Sequence, residues 1–266
     1  MNRLYNSIPI TTVARTIANL VGIDAPKDAG PSNEIVCNYA EKHFREKKLD
    51  RIFIYNPDAI ALWLFQKYTT LFEKAILQSD IQIPMLSIMP SVTPVCFASM
   101  YTGAMPEVHG IQTYEKPVLK ADTIFDAYIR NGLKPVIVST VNDSMSHIIL
   151  ERKMDYFICD TSDECNVKAM ELIEEDKHDL IVLYNGNYDT TMHRTGPQAQ
   201  EAINELKKNI KTYDLLVNKI SETWKTHRTM IGFCTDHGCH EIDGNLGSHG
   251  LDMAEDMNVI HFYKFI

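Results

Sequence analysis

"DYFICDTSDECNVKAMELIEEDKHDLIVLYN", residues 155–185, holds two short apolar runs with a polar, helix-forming stretch between them. DYFICD (155–160) and DLIVLYN (179–185) read as strands, and their apolar character is close to continuous, as expected of strands covered on both faces. SDECNVKAMELIEED between them has the pattern of an amphipathic helix. Strand, helix, strand in this order is the unit of a parallel sheet, because parallel neighbours need a long crossover between them.

The same alternation extends in both directions. Further strand-like runs are RIFIY (51–55), IPMLSIM (83–89), KPVIVST (134–140), TMIGFCTD (229–236) and NVIHFYKF (258–265). Helical patterns lie between them in DAIALWLFQKYTTLFEKAI, DTIFDAYIRNG and the long QAQEAINELKKNIKTYDLLVNKISETWKT. The expected fold class is therefore α/β, a largely parallel central sheet with helices on both faces. Residues 1–266 are expected to form one catalytic domain, with 1–50 a helical N-terminal extension ending in the exposed-looking AEKHFREKKLDR.

Composition narrows the partners. Hydrophobic residues make up 45% and charged residues 23%, which suits a globular chain with a large core. A net charge of -9 without a basic stripe argues against a nucleic-acid polymer as partner. It leaves open a small phosphate ester, which a few local cations can capture. MNRLYNSIPITTVARTIANL has no apolar stretch of signal-peptide or membrane-span length, so no membrane association and a cytoplasmic home are expected. The six cysteines (Cys37, Cys96, Cys159, Cys165, Cys234, Cys239) are scattered, several within apolar runs, and read as reduced structural thiols.

In open α/β sheets ligands sit beyond the carboxyl ends of the strands. Asp58 follows RIFIY; Ser91-Val92-Thr93 follow IPMLSIM; Asp189 and His193 follow DLIVLYN; Thr235-Asp236-His237-Gly238 end TMIGFC; Gly247-Ser248-His249-Gly250 precede the last strand. Singly, each has an ordinary reading as a helix cap, a turn or a solvated pair. Together they supply three carboxylates, three imidazoles and a hydroxyl. That donor set suits two divalent metals, Zn2+ first and Mn2+ second. Two such ions can activate a nucleophile and clamp the oxygens of an in-line displacement at phosphorus. Thr93 stands where a helix opening at Pro94 would aim free N–H groups at a bound anion, which makes it the candidate nucleophile.

These residues resemble the alkaline phosphatase superfamily, specifically its nucleotide pyrophosphatase/phosphodiesterase and phosphonoacetate hydrolase branch. The matching marks are Thr93 nine residues before Thr102-Gly103, PEVHGI at 106–111, Asp58 after the first strand, Asp189-Thr-Thr-Met-His193 before Gly196-Pro197, Thr235-Asp236-His237-Gly238, and His249-Gly250. The resemblance implies an alkaline phosphatase-like three-layer sandwich. It further implies one metal on Asp189, His193 and His249, and a second on Asp58, Asp236 and His237 with Thr93 as its exchangeable ligand. The activity implied is phosphoric ester hydrolysis through a covalent Thr93 intermediate, on a phosphodiester or nucleotide-type pyrophosphate; a phosphomonoester or phosphonate substrate, and a catalytically silent metal-binding protein, are the alternatives.

The chain departs from the pattern in places. Ala59 replaces the usual Gly after the first Asp, and Pro94 follows Thr93 directly. Tyr114 stands where that branch has a phosphate-binding Asn, so Tyr114 or Lys116 is expected to contact substrate instead. His240 and Asp243 are the further polar residues expected to orient a ligand histidine. TTVARTIANLVGIDAP (11–26) is similar to the helical segment that ends several relatives, but reads first as an unrelated amphipathic helix.

Overall fold

The computed structural model describes residues 4–266. Its strands are β1 (Arg51–Pro57), β2 (Ile81–Leu86), β3 (Pro135–Thr140), β4 (Asp155–Cys159), β5 (Leu180–Asn185), β6 (Thr229–Cys234), β7 (His240–Ile242), β8 (Leu246–Ser248) and β9 (Asn258–Phe265). The α-helices are α1 (Thr12–Val21), α2 (Glu34–Phe44), α3 (Leu62–Lys67), α4 (Glu73–Gln78), α5 (Thr93–Thr102), α6 (Pro106–His109), α7 (Ile124–Arg130), α8 (Met145–Ile148), α9 (Ser162–Glu175), α10 (Asn187–Thr195), α11 (Gln200–Thr223) and α12 (Ala254–Met257). Among the described residues, seven strands make one sheet in the order β2-β9-β6-β1-β5-β3-β4, and β7 and β8 form a separate hairpin.

All seven strand runs legible in the sequence lie in that sheet. Within β1, Ile52 and Ile54 enter the core on one face while Phe53 and Tyr55 enter the core on the other. The same alternation divides Leu180, Val182 and Tyr184 of β5 from Ile181 and Leu183. Two apolar layers, one on each side, are why these strands show no polar face.

One layer is built by α1, α2, α5 and α7, the other by α3, α4, α9 and α11. Residues 4–50 are thus helical but integral. Val13, Ala14 and Ile17 of α1 are buried in the same cluster as Val95 and Phe97 of α5. The segment before α1 lies along the sheet edge, with a parallel bridge from Pro9 to Leu86. No helix among the described residues is long and apolar enough to cross a membrane.

One strand departs from parallel order. β9 runs antiparallel to both β2 and β6. The segment between β6 and β9 stays at the carboxyl edge of the sheet as the β7–β8 hairpin and α12, with no crossover helix, so the chain can only run back down. Consequently β1, β2, β5 and β6 all end on that same edge. In the β1–β5 ladder Pro57 is opposite Asn185, so the residues just beyond both strands are neighbours.

Candidate functional site

The seven side chains expected at the strand ends meet at this edge. Ligand atoms of Asp58, Asp236 and His237 lie within 4.8 Å of one another, and so do those of Asp189, His193 and His249. The first group is fully buried and the second half-buried. Thr93, at the start of α5, is 3.4 Å from Asp58 Oδ2 and 3.3 Å from His237 Nε2 through its Oγ1. The groups adjoin: the His237 and His249 rings stack with centroids 4.0 Å apart.

Each imidazole is anchored in the same way. His193 Nδ1 meets Gly247 O at 2.9 Å, His237 Nδ1 meets Gly238 O at 2.9 Å, and His249 Nδ1 meets Ser91 O at 2.9 Å. A carbonyl accepts only, so Nδ1 carries the proton in all three and Nε2 of a neutral ring offers a lone pair. Those Nε2 atoms face carboxylate oxygens at 3.3 Å (His193 to Asp189), 3.5 Å (His249 to Asp189), 3.4 Å (His237 to Asp58) and 3.3 Å (His237 to Asp236). Lone pair against lone pair is unfavourable unless a cation lies between. Ligands about 2.0–2.1 Å from a tetrahedral ion are separated by roughly 3.3–3.4 Å, which is the spacing found.

The carboxylates carry the matching signature. Asp58 Oδ1, Asp189 Oδ1 and Asp236 Oδ2 are buried with no hydrogen-bond partner, a costly state for anionic oxygens. Burial, then the negative charge of Asp189, raises the Asp58 carboxyl above the ordinary range, opposed by His237 and Tyr184. Burial and the charge of Asp58 raise Asp236 well above it. His249 is pushed down to about 3 by burial, with His237 adding to the effect. Three acids packed together with neutral imidazoles form a site that a divalent cation would relax.

Backbone geometry explains two glycines. A Cβ on Gly238 would lie 2.0 Å from Glu255 O, and one on Gly247 would lie 2.4 Å from Met192 Sδ. The first closeness lets the loop after β6 pack on α12; the second seats the β7–β8 hairpin on α10, where Gly247 O reaches His193. Ala59, where the resemblance expects Gly, adopts the left-handed region with φ 61°. Its N–H donates to Asp236 Oδ1 at 3.3 Å, so the turn is kept despite the methyl group.

The remaining sequence-based expectations fall out differently. Tyr114 is exposed at the rim, and Lys116 Nζ donates to Asn142 O at 2.7 Å on the neighbouring loop. His240 does not touch a ligand histidine. Its Nδ1 is 2.7 Å from Asp256 Oδ1, and the other oxygen of Asp256 accepts from Leu251 N at 2.9 Å, so the pair braces the loop following His249. Asp243 is exposed at the turn of the β7–β8 hairpin, away from the ligands it was expected to orient, because the short hairpin projects its tip into solvent. Sequence reading missed Tyr184, whose phenol donates to Asp58 Oδ2.

Residues 58–128 match the profile of the family described as type I phosphodiesterase / nucleotide pyrophosphatase. Among solved structures, human ectonucleotide pyrophosphatase / phosphodiesterase 5 superposes with a TM-score of 0.63 at 14% identity, over 80% of this chain and 87% of that one. The chain shares the fold of that protein. The murine protein of the same name, inactive and in complex with AMP, gives a TM-score of 0.58 at 16% identity over 73% of this chain, and this chain spans 59% of its length. No curated protein sequence matches. The profile match spans residues 58–128 of the 266, and the structural likenesses, at 14% and 16% identity, show a shared fold.

Proposed function

We propose that this protein is a two-metal phosphodiesterase that uses Thr93 as its nucleophile on small phosphodiesters or nucleotide-type pyrophosphates. The observation that carries the reading is the place of the Thr93 hydroxyl, in reach of both Asp58 and His237 and beside a second Asp/His/His group. Asp58, Asp236 and His237 would hold one ion; Asp189, His193 and His249 would hold the other. Three imidazole nitrogens among carboxylate oxygens favour Zn2+, with Mn2+ the next choice. Bound there, the ions would neutralise charge at phosphorus and lower the pKa of the attacking hydroxyl and of water.

The chain's own residues do the rest. Thr93 Oγ1 gives up its proton to water and attacks phosphorus, and the ester P–O bond opposite breaks, its oxygen taking a proton from water to leave as an alcohol or nucleotide. Water then cleaves the Thr93 phosphoester and restores the hydroxyl. The first turn of α5 leaves backbone N–H groups without helical partners, placed to meet the non-bridging oxygens. A diester or pyrophosphate is favoured by the matched family's description, and the neighbour whose structure contains AMP supports a nucleotide as ligand. That neighbour's inactive form, a threonine-to-alanine variant, supports a threonine in the central role.

Thr93→Ala tests the reading. Turnover of bis(p-nitrophenyl) phosphate should fall by at least about 10^3-fold while metal content stays near two ions per chain. Unchanged turnover would assign the nucleophile elsewhere, and a wild-type protein that binds no divalent metal would remove the mechanism.

A further inference from the structure

The two edges of the seven-stranded sheet, β2 and β4, are finished differently. At β2, Leu86 N donates to Ile8 O at 2.7 Å and Leu86 O accepts from Ile10 N at 2.9 Å, so this residue faces outward under the segment before α1. Backbone direction alternates along a strand, so Gln82 and Pro84 face outward too, and Pro84 has no N–H to offer. Another strand would find little to pair with along β2.

β4 has no such protection. Asp155-Tyr156-Phe157-Ile158-Cys159 contains neither proline nor lysine, the residues that commonly blunt an edge. Val141 N donates to Cys159 O at 2.9 Å, and the parallel register sets Thr140 opposite Cys159, which together fix the phase of the ladder. Asp155, Phe157 and Cys159 thus turn their backbone groups toward β3, while Tyr156 and Ile158 turn theirs away from the sheet. Among the described residues, no hydrogen bond reaches the backbone N–H or C=O of Tyr156 or Ile158.

We propose that β4 is a dimerisation edge, on which β4 of a second copy of this chain pairs antiparallel about a two-fold axis at Phe157. In that register Tyr156 lies opposite Ile158 of the second copy, and each of the two such pairs exchanges two N–H···O bonds, so the outward groups of both copies are satisfied. The flanks are self-complementary as well. Exposed Lys153, two residues before the strand, comes beside the second copy's exposed Asp160 and Asp163, which follow the strand's other end. Ile158 and Val141, 42% and 49% exposed, add apolar contact at the same edge. Lys168, over the Phe157 ring at 4.9 Å, is paired with Glu171 and brings no bare charge to the axis. A foreign strand would meet the same backbone groups, but a second copy also brings the opposite charges in register. Because the pairing is antiparallel, the carboxyl edges of the two sheets point in opposite directions and both strand-end sites stay open.

Sedimentation velocity tests the edge. Between about 1 and 100 μM the protein should form, in a concentration-dependent way, a species of twice the 30.4 kDa chain mass. Ile158→Pro removes an outward N–H that has no partner within the chain, so it should abolish that species while the far-UV circular dichroism stays unchanged. Lys153→Glu should weaken association at least about tenfold. Combining it with Asp160→Lys and Asp163→Lys should restore association, which a merely structural effect of Lys153→Glu would not do. The charge reversal decides the matter should the proline variant not fold. A monomer across the whole range, a dimer untouched by Ile158→Pro and Lys153→Glu, or a reversal that restores nothing would overturn the proposal.

Discussion

Tyr184 is a core residue by position and a site residue by contact. It closes the apolar run of β5, points into the same layer as Phe97 with ring centroids 5.5 Å apart, and ends in a hydroxyl that donates to Asp58. Fixing one oxygen of Asp58 leaves the other free for a cation, the arrangement expected of a group that orients a metal ligand. Tyr184→Phe keeps the ring and removes only that donor. It should weaken metal binding by roughly 10–100-fold, read by competition with a chromogenic chelator, while the thermal midpoint of the chelated protein moves little. Equal affinity in both proteins would reduce Tyr184 to packing. The gathering of these seven side chains was legible because Asp, His and Thr at strand ends have few structural reasons to recur together. Tyr184 was hidden because an aromatic in LIVLYN is already explained by burial, and a sequence does not show where its hydroxyl points.

At the level of elements, the β7–β8 hairpin positions His193 through one backbone carbonyl. Gly247 packs against Met192 so closely that any side chain must displace one of them. Gly247→Ala is expected to lift the hairpin from α10, withdraw Gly247 O from His193 Nδ1 and free that ring to rotate. The loss should fall on the ion held by Asp189, His193 and His249. One of the two metals per chain then becomes easy to chelate, and diester turnover drops about tenfold or more. Simultaneous loss of both metals, or of neither, would contradict the separate roles given to the two groups. The hairpin was not read from sequence because each strand has only three residues, too few to show a period, although Asp243-Gly244 at its turn is a recognised hairpin signal. The long strands were readable for the opposite reason. Burial on both faces concentrates Ile, Val, Leu and Phe into runs that no surface loop would carry. The direction of β9 was not readable, since pairing sense depends on the route of the connection rather than on the strand itself.

For the whole molecule, two buried histidines outside the candidate metal groups contribute to the response to acid. His109 Nε2 pairs with Ser99 Oγ at 2.9 Å while its Nδ1 accepts from Ile111 N at 3.2 Å, and burial pushes it down to about 4. His261 meets Thr235 O through Nε2 at 2.7 Å and Tyr263 Oη through Nδ1 at 3.1 Å, and burial likewise pushes it down to about 4. Between these values and the ordinary histidine pKa near 6.5 the unfolded chain binds more protons than the folded one. Their contribution is therefore full above about pH 6.5 and is lost as pH falls toward 4. At pH 5 each should cost about 2 kcal/mol relative to pH 7, so these two together should take about 4 kcal/mol from the stability of the metal-loaded protein in urea denaturation, beside the loss from ligand histidines that cations would hold neutral. The chelated protein should respond differently. Asp58 and Asp236 are raised in the folded state, so there the native form holds extra protons and their term falls as pH rises. Chelation should flatten or reverse the rise between pH 5 and 7, because bound cations keep both carboxylates ionised across the range. The same slope with and without metal would mean that these acids are not the groups a cation neutralises, and the packing of four unlike strand ends around one pair of ions would lose its physical reason.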